Sequence, residues 1–203
     1  MGILAGALTA RRFRVVGAVS EGFRDTYRDK LNGYAFKQPP NGIGKEKVEG
    51  WACAHNLLDT DFSDLNVWLH DPYAVFCFRE DKKTLPARLF KATLEKQAQA
   101  WCAERGVDSC PPGTLSSLRD ELERKWLKRV LPSTAVTEVC WEMSKGFALV
   151  HTTSENRLDR IRKLFFQTFG LQLVAWSPLD WLDSKDAAQT LMSTVPMGAG
   201  GEA

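Results

Sequence analysis

The sequence predicts an α+β fold: a mixed, mostly antiparallel sheet with helices packed against it and a helical hairpin projecting from it. Three observations predict it. Short runs rich in β-branched and aromatic residues, such as YAVFCFRE (73–80), read as strands bounded by turn residues. Two apolar stripes at helical spacing follow one another across a short Gly- and Pro-containing segment, between about residues 86 and 131. Ser144-Lys145-Gly146 joins two further apolar runs in the manner of a β-hairpin turn.

In chain order, ALTARRFRVVGAV (7–19) reads as the first strand. Ser20 is placed to cap a helix from about Glu21 to Tyr34, on which Phe23, Tyr27 and Leu31 share a face. Residues 38–50, with two Pro and three Gly, read as a loop. VEGWACAH (48–55) is a short strand. NLLDTDFSDL (56–65) is irregular and acidic. NVWLH (66–70) and YAVFCFRE are two strands joined around the turn dipeptide Asp71-Pro72. The second is apolar nearly throughout, which predicts a central strand buried on both faces. Leu85-Pro86 opens a helix with proline in its first turn and Phe90, Leu94, Ala98 and Trp101 on one face. Gly106 to Gly113 is a turn. A second helix then runs from about Leu115 to Val130, with Leu115, Leu118, Leu122, Trp126 and Val130 in one stripe. VTEVCWEM (136–143) and FALVHTTS (147–154) form the hairpin. A helix from about Glu155 to Phe169 ends at Gly170, and LQLVAW (171–176) is the last strand. Residues 1–177 make the body, as one domain or two interlocked ones. Residues 178–203 form an acidic tail, helical in part and disordered at its end. FRVVGAVSEGFRDTYRDKL (13–31) aligns without gaps to FALVHTTSENRLDRIRKLF (147–165), which marks either a duplicated strand–helix unit or two similar units of independent origin.

At 203 residues the chain is long enough to bury a substantial core, and seven Trp and eleven Phe supply large apolar side chains for it or for an interface. The net charge is only +2, so bulk charge does not announce a nucleic-acid binder. The tail from Pro178 holds four acids and one base, which leaves residues 1–177 with a net of +5. Five Cys, an odd number with no C-x-x-C pair, point to a reduced protein with buried thiols. With no signal-peptide order of residues and no apolar run near membrane-spanning length, the expected location is the cytoplasm.

Catalytic patterns are sparse. Cys53-x-His55 places a thiol and an imidazole two residues apart, a spacing that shares a face on a strand, but no second ligand pair stands at zinc-site spacing. A core thiol and a surface imidazole is the preferred reading. Asp59, Asp61 and Asp64 offer clustered carboxylates of the kind a two-metal nuclease uses, against the reading of a solvated loop. No Walker loop or G-x-S-x-G motif occurs. No cofactor and no metal are expected.

The basic residues form rows. Arg12 and Arg14 share a face of the first strand, and Lys82 and Lys83 follow the central strand. Arg124 and Lys128 lie opposite the stripe of the second hairpin helix, with Lys125 and Arg129 flanking it. Arg157, Arg160 and Lys163 recur along one flank of the helix at 155–169. Rows of this kind can follow a phosphate backbone, releasing counterions as they do. Asp120, Glu121 and Glu123 interleave with one row, as on an ordinary solvated helix face. No recognition-helix or zinc-finger pattern is present, so base reading is not expected.

The order of features resembles the RdgC family. The resemblance is carried by FRVVGAV, the following helix, Gly50-Trp51, YAVFCFREDKKTLP with Leu85-Pro86, the helix pair, the exit VLPS with Leu131-Pro132, VCWEM with Trp141, and the closing helix and LQLV strand. It spans about residues 4–177. It implies a homodimer, ring-shaped with a basic hole, that binds double-stranded DNA in the bacterial nucleoid with little sequence preference and restrains a RecA-type recombinase. It carries no catalytic motif, although some members are labelled exonucleases. Better-known members run longer at the C-terminus, so an open dimer, or one sealed at a single interface, stands beside the closed ring. Two rival readings are a protein-interaction module that acts on recombination proteins without touching DNA, and a metal-dependent exonuclease.

Overall fold

The computed structural model describes residues 9–19, 21–39, 44, 47–176, 186, 189–190 and 193. The expected cap at Ser20 and nearly all of the expected tail lie outside the described residues. The strands are β1 (Arg11–Val16), β2 (Val48–Cys53), β3 (Leu69–His70), β4 (Tyr73–Lys82), β5 (Ser133–Glu142), β6 (Phe147–Val150) and β7 (Gln172–Ala175). The helices are α1 (Phe23–Gly33), α2 (Ala87–Arg105), α3 (Pro112–Leu127) and α4 (Glu155–Phe169). The strands form one sheet in the order β2-β4-β5-β6-β1-β7, with β3 beside β4, and every strand pairing is antiparallel. The fold is α+β, as the strand and helix patterns predict. No described helix is long and apolar enough to cross a membrane.

Several boundaries differ from expectation, each for a local reason. β1 stops at Val16 because Gly17 turns the chain at φ 130°. A Cβ there would lie 2.4 Å from Leu171 Cδ2. α1 begins at Phe23, after Gly22 in a left-handed conformation, two residues later than expected. Of NVWLH only Leu69–His70 pairs as a strand. Residues Leu65–Val67 form a single 3-10 turn, capped by the Asp64 carboxylate, which accepts from the Asn66 N–H. α3 starts at Pro112 and ends at Leu127, three residues ahead of expectation at each end, since proline at the first position costs no hydrogen bond. The two segments of the gapless echo are both strand–helix units, but their matched phenylalanines face opposite ways. Phe13 is buried in the core, whereas Phe147 packs against Arg12 on the opposite face of the sheet. The two helices do share the Asp–Arg ion pair, as Asp25–Arg28 and Asp159–Arg162, and the buried positions Tyr27 and Ile161, Leu31 and Phe165.

The core occupies one face of the sheet. The buried aromatic residues Trp51, Phe76, Phe78 and Trp141 line this face, joined by Val139, Ala148, Val150 and Leu173. Against them pack Tyr27 and Leu31 of α1 and the stripe Leu158, Ile161, Leu164, Phe165 and Phe169 of α4. The Phe169 ring is the hub, with centroids 4.7 Å from Phe165, 5.0 Å from Tyr27, 5.3 Å from Trp141 and 5.6 Å from Phe76. Each such pair adds about 0.5–1.5 kcal/mol beyond area burial. β4 is paired on both sides but lies second from one edge of the sheet, not at its centre, and it is buried from Ala74 to Phe78 as its unbroken apolar run predicts.

Gly50-Trp51 has a clear packing role. Segment 34–36 lies along β2, with Phe36 N–H donating to Trp51 O (2.7 Å) and Trp51 N–H donating to Tyr34 O (3.0 Å). A Cβ on Gly50 would fall 2.5 Å from Phe36 Cα and 2.6 Å from its nitrogen, so only glycine lets the two backbones meet. Trp51 is fully buried, and its indole N–H donates to Thr168 Oγ1 (2.8 Å), whose hydroxyl donates to Leu164 O (2.7 Å). α4 is further tied to the sheet by Arg160, which bridges Glu49 and Glu80, while Lys47 reaches Glu80 at 2.7 Å.

Two stability predictions follow from these contacts. Gly50→Ala meets rigid backbone rather than a movable side chain, so it should cost at least about 1–3 kcal/mol. A urea midpoint equal to wild type would contradict that. Burial alone would push the Glu80 carboxyl up, but Lys47 and Arg160 outweigh it and hold the group below its ordinary value of 4.5. Its contribution is therefore full above 4.5 and lost as pH falls through the lower folded-state value. Glu80→Gln should flatten the acid limb of the stability profile, and an acid limb as steep as wild type would show that other carboxylates set it.

Candidate nucleic-acid interface

The hairpin is where the structure gathers charge. β4 and β5 pair without a break from Tyr73↔Glu142 to Lys82↔Ser133, and α2 and α3 rise from that end. The hairpin core is thin: Leu94 and Leu122 are buried, while Phe90, Trp101, Leu115 and Trp126 are only half-buried. Phe90 and Trp126 meet edge-to-face at 5.6 Å and fix the start of α2 beside the end of α3. Lys83 Nζ donates to Leu127 O at 2.6 Å, capping the last turn of α3.

This closure joins two of the predicted groups. Lys82 and Lys83, before α2, come to lie at the same end of the hairpin as Arg124 and Lys125 in the last turn of α3, Lys128 at its cap and Arg129 beyond it. Arg124, Lys125, Lys128 and Arg129 line one shallow surface cavity with Glu121. Among the described residues, no ion pair uses these four or Lys82. Residues 82–131 hold eleven Lys and Arg against six Asp and Glu, a net of +5, whereas the whole chain carries +2. The C-terminal dipole of α3 favours cations, which accounts for part of the cluster without any ligand. That preference extends only over the last turn and does not account for Lys82. Arg88, exposed in the first turn of α2, sits at the same end. It belongs to none of the rows of basic residues in the sequence, where its signal is the helix start just after Lys82-Lys83.

The other predicted cations are placed differently. Arg12 is half-buried, its guanidinium 4.3 Å from the Phe147 ring and 4.2 Å from the Trp176 ring, on the sheet face away from the core. Arg14 is exposed on the same face. Arg160 is held by Glu49 and Glu80 and lies over Phe78, so its charge is already matched within the fold. Arg157 is half-buried. Lys163 is exposed beside Asp159, Arg162 and Phe166, around a small cavity against β7. α4 covers the core face, so its flank and the Arg12–Arg14 row occupy opposite sides of the sheet.

The groups considered for catalysis are engaged locally. Asp59 Oδ1 accepts from the Asp61 N–H (3.0 Å). Asp61 Oδ1 accepts from the N–H and hydroxyl of Ser63 (2.9 and 2.5 Å). Asp64 Oδ1 accepts from Asn66 N–H and Nδ2 (2.9 and 3.0 Å). These are successive Asx turns, a backbone reason for aspartate at these positions. The Asp61 carboxyl is held below its ordinary value by the Ser63 hydroxyl and N–H. Among the described residues, no group of three or more His, Cys, Asp or Glu is arranged to hold a metal ion. β2 ends at Cys53, so His55 is exposed beyond the strand. The Cys53 thiol is buried and pushed up to about 12 by burial and by Asp59 and Asp61, the opposite of what a nucleophile or ligand needs. The expectation of five buried thiols needs correction: Cys53 and Cys77 are buried, while Cys102, Cys110 and Cys140 are partly accessible.

No curated protein matches the chain. A family model described as "Putative exonuclease, RdgC" matches residues 24–194. That match runs from α1 through β7 and spans most of the sequence, including the hairpin and its basic base. The chain belongs to the RdgC family.

Proposed function

We propose that this protein binds double-stranded DNA through its phosphate backbone, without sequence preference, and acts as a homodimer that modulates a RecA-type recombinase. The observation that carries the proposal is the group Lys82, Arg124, Lys125, Lys128 and Arg129 at the hairpin base, free of ion pairs among the described residues on a chain of net charge +2. Cations left unpaired at one place are available to phosphates. A homodimer doubles that surface and allows a track along a duplex. Leu89 and Leu131 near the hairpin base are 59% and 85% exposed, which suits them to a contact between copies.

The reading makes a quantitative demand. If four cations per DNA-bound unit meet phosphates, the logarithm of affinity should fall with the logarithm of salt at a slope of about −3.6. Fluorescence anisotropy on two duplexes of unrelated sequence measures this. Salt-independent binding, or strong preference for one sequence, would contradict it. Arg124→Glu with Lys128→Glu should reduce the slope by about 2 and leave circular dichroism unchanged. An unchanged slope would remove α3 from the interface.

The family description favours one second reading, an exonuclease. We read the protein as a binder because the acidic residues 59–64 serve turns. End-labelled duplex incubated with Mg2+ or Mn2+ should keep its label; metal-dependent release that tracks the purified protein would overturn the non-enzymatic reading.

A further inference from the structure

The hairpin tip holds a feature that DNA binding does not use. Cys102 lies in the last turn of α2, where its carbonyl accepts from the N–H of Gly106 and of Val107 (3.1 Å). Gly106 then turns the chain at φ 63°. Cys110 stands immediately before Pro111-Pro112, which open α3, and its thiol points toward Pro111 O at 3.8 Å. Both thiols are half-buried, and both line one cavity of about 570 Å3 between the helices, with Leu94, Ala98, Leu115 and Asp108. The tight turn 106–109 thus brings together two cysteines that are eight positions apart in sequence. The Cys110 thiol is pushed up first by burial, then by the charge of Cys102 and a hydrogen bond to it, with Arg105 opposing. Both cysteines therefore face the same cavity across the turn.

We propose that Cys102 and Cys110 form a redox-active dithiol that small-molecule disulfides convert to an intramolecular disulfide, stapling the hairpin tip. One cysteine, as thiolate, attacks a sulfur of the small disulfide. A Cys–S bond forms, the S–S bond breaks, and one small thiolate leaves. The second cysteine, as thiolate, attacks the first cysteine's sulfur and expels the other small thiolate. The pair is oxidised by two electrons, the small disulfide is reduced to two thiols, and the two cysteine protons end on those thiols. The raised value of Cys110 slows each attack it makes, but the second step is intramolecular, between two cysteines that line one cavity. The other three cysteines do not compete on equal terms. Cys53 and Cys77 are buried with thiols pushed up to about 12, and Cys140 is also raised, by burial and Glu142.

The test uses the full chain in mixtures of reduced and oxidised glutathione, quenched with acid, alkylated and digested for peptide mass mapping. The expected product is a cross-link between the Cys102 and Cys110 peptides, with loss of two hydrogens and with Cys53 and Cys77 alkylated only after unfolding. In Cys110→Ser the glutathione adduct on Cys102 should persist, because nothing resolves it. Separate adducts on both cysteines of the wild type, a cross-link between two chains, or no oxidation at these positions would each overturn the proposal. The readout is thiol chemistry alone, so it stands or falls apart from DNA binding.

Discussion

The β4–β5 ladder is the interaction on which the rest of the structure depends. Ten consecutive residue pairs, from Tyr73↔Glu142 to Lys82↔Ser133, put Phe76, Phe78, Val139 and Trp141 on the face where α1 and α4 pack. The same ladder carries the chain out of the sheet and receives it back. The 50 residues from Lys83 to Pro132 must therefore return to the point where they left. Two antiparallel helices meet that condition with a short turn. The base of the thin-cored hairpin is held by the longest ladder in the sheet, by the Phe90–Trp126 contact and by Lys83.

That return explains how charges distant in sequence become neighbours. Lys82 and Arg129 are far apart along the chain, yet both flank the mouth of the hairpin. The same closure at the far end of the arm brings Cys102 to Cys110. Two cations beside the sheet are matched within the fold: Arg160 by Glu49 and Glu80, and Arg79 by Asp81 (2.7 and 3.0 Å) and the Phe36 ring at 4.1 Å. Exposed ion pairs of this type contribute little, but partly buried ones fix geometry. Arg14, Arg157 and Lys163 also enter no ion pair among the described residues, but they are divided between the far sheet face and α4, whereas Lys82, Arg124, Lys125, Lys128 and Arg129 gather at the hairpin base.

The fold was legible where one local signal dominated. The stripe Leu158, Ile161, Phe165 and the stop at Gly170 marked α4, and the apolar run of β4 marked a buried strand, though not its place second from the sheet edge. It was illegible where tertiary contacts or turn chemistry decide. Trp68 is fully buried, yet most of its segment is a turn set by Asp64 rather than a strand. α3 slid toward its N-terminus because Pro111-Pro112 start a helix as readily as they end a loop. For the candidate site, the rows of Lys and Arg were visible, but which of them are spent in ion pairs was not. Arg160 looked equivalent to Arg157 by spacing, and nothing local reveals that Glu49 and Glu80 wait opposite it. Arg88 went unnoticed because its neighbours at the hairpin base are remote in sequence.

The central claim is that DNA meets the protein at the hairpin base. Hydrogen–deuterium exchange of the full chain, with and without a duplex of mixed sequence, reads this directly. The account predicts slower exchange in two segments, 82–90 and 121–131, that lose it together when salt is raised. Slower exchange confined to α4 or to β1, or no change on adding DNA, would contradict it.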